Sequence, residues 1–253
     1  MSDEVLRTER LNVRFGGVVA VNDVSLGCHR GHLTGLIGPN GAGKTTFLDA
    51  VTGFLPNNAS GSVLLLGDEV FGRRAHHLAH AGLARTWQTL ELFDDISVRS
   101  NLEVASRRLT LMGAAREYFR PQSGDDRVEE VLELLELRDI ADRRPRELSQ
   151  GQRKMVGVGR ALAAESTKIL LLDEPAAGLD TSETAWFGSQ LRRLVDDGYT
   201  MLLIDHDMDL VLNVCDQIHV LVFGELITSG PPEEIQSNSR VIAAYLGHTE
   251  GDA

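Results

Sequence analysis

Apolar residues follow two rhythms along this chain. Short apolar runs recur at Leu33–Ile37, Val63–Leu66, Ile169–Leu172, Met201–Ile204 and Ile218–Phe223, and each is followed by glycine or an acid. Runs of that length read as buried strands. Between them lie helical patterns. Lys44–Thr52 reads as a helix closed by Gly53 at its C-terminal cap. Phe187, Leu191, Leu194 and Val195 share one helical face, and Gly198 ends that helix. Strand–helix alternation predicts an α/β fold, a mostly parallel sheet with flanking helices.

The middle behaves differently. From about Phe93 to Arg146 there is no strand pattern. Val128, Val131, Leu132 and Leu135 repeat at helical spacing, with Glu129, Glu130, Glu133 and Glu136 on other faces. Residues 113–124 are mostly polar, contain Pro121 and read as a loop. This block is predicted to be a helical insertion into the α/β core. Neither an internal repeat nor a low-complexity tract occurs, and the tail after Gly247 is expected to fray.

Composition narrows the class. With 42% apolar, 5% aromatic and 25% charged residues in 253, the chain is globular rather than disordered or fibrous. Its longest apolar run, Val241–Leu246, is far below the ~20 residues of a membrane span. The opening decapeptide has no basic region followed by an apolar stretch, so no secretory signal is expected. Cys28 and Cys215 read as plain thiols of a reducing compartment. Net charge is −12, so the average surface field repels a polyanion, and nucleic acid is not an expected partner. Anions must be met at a dedicated local site.

Gly38-Pro39-Asn40-Gly41-Ala42-Gly43-Lys44-Thr45 fits G-x-x-x-x-G-K-[ST], with a strand before it and a helix after it. Glycines let such a loop curl until successive N–H groups face phosphate oxygens, and the helix adds its positive end. Lys44 offers a charge for the β- and γ-phosphates; Thr45, followed by Thr46, offers a hydroxyl to Mg²⁺. The run Ile169–Leu172 ends in Asp173-Glu174-Pro175. Two acids closing an apolar strand are costly unless a divalent ion and an attacking water use them. Asp173 would serve the metal, Glu174 the water. Ser149 opens a helix through Met155, Val158 and Leu162, which makes a serine-capped second anion site.

In this order the residues resemble the ATP-binding cassette (ABC) ATPases. Leu148-Ser149-Gln150-Gly151-Gln152 is similar to their LSGGQ signature, with the serine 24 residues before Asp173. Phe15 in Arg14-Phe15-Gly16-Gly17 resembles the aromatic that stacks on adenine. Gln88 in Arg85-Thr86-Trp87-Gln88, Asp180 in Ala177-Gly178-Leu179-Asp180 and His206 in Asp205-His206-Asp207-Met208 complete the set. Gln150 stands where many members carry glycine, and Gly178 where alanine is frequent.

The resemblance covers nearly the whole chain and implies a single cassette with a P-loop NTPase core, an antiparallel β subdomain and a helical insertion. About 1–92 and 147–230 would form the core with its β subdomain, about 93–146 the helical subdomain, and about 231–253 a C-terminal helix and tail. It implies ATP hydrolysis with Mg²⁺. Phe15, the residues from Gly38 to Thr46 and Gln88 would bind nucleotide; Thr45, Gln88 and Asp173 would serve the metal; Glu174 and His206 would be catalytic. Ser149, Gln150, Gly151 and Gln152 would face ATP held by a second cassette, identical or related, with Asp180 at the dimer interface.

Four stretches resemble the branched-chain (hydrophobic) amino acid importer ATPases more narrowly: Phe15–Asn22, Ala84–Gln88 with Leu92-Phe93, Asp173–Leu179, and Ala244-Tyr245-Leu246-Gly247. That implies permease subunits, a solute-binding protein and a place on the cytoplasmic face of the cell membrane. Importers of urea or other small solutes share much of the pattern. A soluble ABC ATPase acting on DNA or the ribosome would be expected to carry coiled coils, zinc motifs or two cassettes. A GTPase or kinase would not need Leu148–Gln152. His76, His77 and His80 cluster at a spacing that could hold zinc, but no acid follows His76 directly, and they read as a solvated helical face.

Overall fold

The computed structural model describes residues 3–87, 92–106, 126–164 and 166–246. Two sheets form among them. In the first, β1 (Glu4–Phe15) and β2 (Val18–His29) make a long hairpin around Gly16-Gly17. With β4 (Ala59–Leu65) and β5 (Asp68–Glu69) it gives an antiparallel sheet of order β2-β1-β4-β5. The second sheet contains β3 (Leu33–Ile37), β6 (Leu83–Arg85), β7 (Ile169–Asp173), β8 (Met201–Ile204), β9 (Gln217–Val222) and β10 (Glu225–Gly230). Its order is β10-β9-β3-β8-β7-β6, parallel throughout except for the β9–β10 hairpin.

Both faces of the parallel sheet are buried, which explains the uninterrupted apolar runs. Alternate residues enter different cores. Ile169, Leu171, Leu202 and Ile204 pack with the antiparallel sheet and α1 (Lys44–Val51). Leu170, Leu172, Met201 and Leu203 pack with the helices on the other side. Those are α3 (Val98–Ser106), α4 (Asp126–Leu134), α5 (Gln150–Ala163), α6 (Thr181–Asp196) and α7 (Met208–Val214). A short α2 (Ala75–Ala81) precedes β6, and α8 (Pro232–Gln236) and α9 (Ser239–Leu246) follow β10.

The helical pattern in the middle is realised in the described residues: Val128, Val131, Leu132 and Leu135 are all buried. The predicted loop at 113–124 lies outside the described residues. Gly53 takes φ 77° beyond α1, as the capping pattern requires. Cys28 and Cys215 are buried free thiols, and burial pushes Cys28 up to about 12. His76, His77 and His80 sit exposed on α2, and no metal-binding cluster of His, Cys, Asp or Glu occurs among the described residues. Among the same residues no helix is long and apolar enough to cross a membrane.

His219 in β9 is buried with Nδ1 2.7 Å from Ser229 Oγ. Burial holds the ring neutral and pulls its pKa from 6.5 down to about 4. The unfolded chain takes up this proton near 6.5, the folded chain only near 4, so stability is lost as pH falls through that window. We expect His219→Gln to lose less stability than the parent between about pH 7 and about pH 4.5. Urea midpoints should show a difference of about 2 kcal/mol.

Candidate active site

Strands β3, β8, β7 and β6 are parallel neighbours, so the segments after them emerge at one edge of the sheet. That edge is where open α/β sheets hold ligands. It receives the phosphate loop after β3, His206 after β8, Asp173-Glu174 at the end of β7, and Arg85 at the end of β6. Gln88 belongs to the same segment but lies outside the described residues.

The loop from Gly38 to Gly43 curls through three left-handed or extended glycines, with φ 155° at Gly38, 77° at Gly41 and 102° at Gly43. A β-carbon at Gly38 would overlap the carbonyl oxygen of Leu221, and one at Gly43 that of Ala20. Gly43 is also the N-cap of α1, so Thr45 and Thr46 stand in its first turn, with Thr45 exposed. Lys44 is buried and bends back over the loop, its Nζ donating to the carbonyls of Gly38 at 2.6 Å and Pro39 at 3.1 Å. Burial lowers its pKa, while Glu174, Asp205 and Asp173 push it back up, so the acids lie within electrostatic reach of the loop.

Asp173 is buried, and its Oδ2 accepts from Arg85 Nη2 at 2.7 Å. Its Oδ1 accepts no hydrogen bond among the described residues. Glu174 adopts φ 46°, rare for a residue with a side chain and typical of functional turns. Its N–H donates to Ile204 O at 2.7 Å. His206 is exposed, with Nδ1 3.6 Å from Glu174 Oε2, just beyond hydrogen-bond length. An exposed hydroxyl on α1 and a carboxylate on β7 are the sparse hard-oxygen set that Mg²⁺ takes beside a phosphate.

Ser149, Gln150, Gly151 and Gln152 form a second place. Ser149 caps α5, accepting from Gln152 N at 3.3 Å, while Ser149 N donates to Gln152 Oε1 at 3.1 Å. Gln150 takes the first helical position of α5. Asp180 caps α6, accepting from the amides of Ser182 and Glu183. Among the described residues no hydrogen bond joins Ser149–Gln152 to the phosphate loop. Phe15, at the tip of the β1–β2 hairpin, is 44% exposed rather than part of the strand core.

The profile of the ABC transporter family matches residues 21–177, more than half of the chain. The chain belongs to the ATP-binding cassette family. A second profile, branched-chain amino acid ATP-binding cassette transporter, matches residues 225–251 of this cassette. The cassette is 37% identical to the high-affinity branched-chain amino acid transport ATP-binding protein LivG of Escherichia coli K12, over 98% of this chain and 99% of that protein. It is 33% identical to the probable LivG of Methanocaldococcus jannaschii, over 96% and 98%. A nucleotide-free ATP-binding cassette from an ABC transporter superposes with a TM-score of 0.82 at 31% identity, over 96% of this chain and 98% of that one. An ADP-bound cassette does so with 0.83 at 32%, over 97% and 100%. The cassette is therefore a nucleotide-binding ATPase of a transporter complex.

Three residues of the cassette escape a motif reading. Asp205 is fully buried and accepts three amides: His206 and Asp207 on Oδ1 at 2.8 and 3.0 Å, and Ala176 on Oδ2 at 3.1 Å. It ties the turn carrying His206 to the turn after Glu174. Its signal was its place, the first residue after the run Met201–Ile204. Arg85 is buried between Asp173 and Asp49. Glu183 Oε1 accepts from Gly151 N at 3.0 Å, and that amide holds its carboxyl below the usual range. We expect Asp205→Asn to place an amide group against the Ala176 N–H. Urea unfolding should show a loss of ~1–3 kcal/mol, with ATP turnover falling while ATP affinity holds.

Proposed function

We propose that this cassette energises uptake of branched-chain or other hydrophobic amino acids, as one of a pair of cassettes under permease subunits at the cytoplasmic face of a membrane. A solute-binding protein would deliver the solute. The substrate class is carried by one observation, the match of residues 225–251 to the branched-chain amino acid profile, outside the generic ATPase region. The relatives' names agree with it.

The site geometry supports a division of roles. Phe15 stacks on adenine, and the amides of Gly38 to Thr46 cradle the phosphates. Lys44 exchanges the carbonyls of Gly38 and Pro39 for β- and γ-phosphate oxygens. Thr45 and Asp173, with Gln88, would hold Mg²⁺, which neutralises charge on those oxygens. Glu174 takes the proton of the attacking water on its carboxylate, and His206 beside it orients the γ-phosphate. Ser149, Gln150, Gly151 and Gln152 serve ATP on the opposite cassette, with Asp180 at the interface. The block at about 93–146 acts as a subdomain. Between it and the core lies a groove of about 440 Å³ lined by Trp87, Phe93, Lys154 and Arg160, which suits a permease segment.

Reconstitution with permease subunits tests the reading. ATPase activity should rise with a branched-chain amino acid and its binding protein, and a response to urea alone would reassign the solute. Glu174→Gln should keep ATP binding and lower hydrolysis by roughly 10²-fold or more. Ser149→Arg should bind ATP as a monomer but fail to pair or hydrolyse. Mixing it with Lys44→Ala should restore part of the activity, because each mixed pair holds one intact site. Normal hydrolysis by Ser149→Arg alone would rule out a shared site.

A further inference from the structure

Arg85 is placed where no motif assigns a role. Its side chain is 5% exposed and its guanidinium spans two acids on different elements. Nη1 reaches Asp49 Oδ1 at 2.6 Å and Thr52 Oγ1 at 3.1 Å; Nη2 reaches Asp173 Oδ2 at 2.7 Å. Asp49 lies on α1 one turn after Thr45, and Asp173 ends β7. The fork therefore braces the two elements that carry the hydroxyl and the carboxylate assigned to Mg²⁺. Trp87 closes the other side, its ring 4.2 Å from the guanidinium carbon, with Phe54 edge-on to Trp87 at 5.2 Å. The Arg85 and Asp173 side chains are thereby both withdrawn from solvent, where a charge-assisted bond holds its geometry best.

We infer that Arg85 is a positioning residue: it fixes the rotation of the Asp173 carboxylate, engaging Oδ2 so that Oδ1 is turned to the metal beside Thr45. The inference rests on the reading of Asp173 given above. A planar fork offers its two nitrogens in a fixed geometry that sets the rotation of each carboxylate; an ammonium is a point charge with rotatable donors and sets neither.

The test is ATP binding to the single chain, measured in EDTA and then across a Mg²⁺ titration, for the parent, Arg85→Lys, Arg85→Gln and Asp173→Asn. Arg85→Lys keeps a cation between buried Asp173 and half-buried Asp49, so it removes the fork without removing the charge. Affinity in EDTA should stay within about twofold, while the Mg²⁺ half-saturation point rises about tenfold in both Arg85 variants, the scale of one charge-assisted hydrogen bond. An Arg85→Lys protein that titrates like the parent overturns the inference and leaves Arg85 a neutralising charge. An equal loss of affinity with and without Mg²⁺ overturns it as well. If Asp173→Asn shifts the titration and the Arg85 variants do not, the positioning role fails alone; if Asp173→Asn also leaves it unmoved, the metal assignment of Asp173 fails with it.

Discussion

The carbonyl oxygens of Ala20 and Leu221 close on the phosphate loop from the two sheets, meeting the α-carbons of Gly43 and Gly38. Ala20 belongs to β2 and Leu221 to β9, so one loop is gripped by both sheets. Gly224, in the β9–β10 turn, adds a hydrogen bond to Ala42 O at 2.9 Å. A methyl group at Gly38 or Gly43 would force strand backbone to move, and strand backbone is held by its ladder. The backbone path of the loop, and with it the placement of its amide dipoles, is thus set before any ligand arrives. Preorganised dipoles of this kind need no rearrangement when charge appears in front of them.

Charge is distributed around that loop by burial. Lys44, Asp173, Asp205 and Arg85 are withdrawn from water, and each has partners that offset the desolvation cost. Glu174 and His206 stand further out, and the separation between them is longer than a hydrogen bond. The inner groups form a rigid frame on strand ends and helix starts. The outer pair lies at the rim of that frame, with His206 exposed.

Much of this was legible in the sequence. Four of the five apolar runs lie in the parallel sheet, whose two faces are covered. The fifth falls on β4 of the antiparallel sheet, where Val63 and Leu65 are buried. Leu66 and Phe223, read as strand ends, are exposed beyond their strands. The phosphate loop and its acids followed a fixed spacing. The hairpin β1–β2 gave no such signal. Its outer face carries Arg7, Glu9, Arg10 and Arg14, and register shifts with left-handed Arg10 and Asp23 break the alternation. β6 has three residues, too few for any pattern. Asp205 was marked only by its place after an apolar run, and Arg85 not at all, for another reason. Their roles come from partners 29 and 88 residues distant, and no local window contains such a pair.

The bond from Gly151 to Glu183 gives the single chain a self-occupied seat. Any anion approaching the Gly151 amide would compete with a carboxylate that the fold already holds 3.0 Å from it. Acetate or dilute phosphate in solution gains little from displacing it. A polyphosphate delivered by a second protein surface, itself held at high local concentration, can. On the reading proposed above, the seat would discriminate by how an anion is presented rather than by its charge alone.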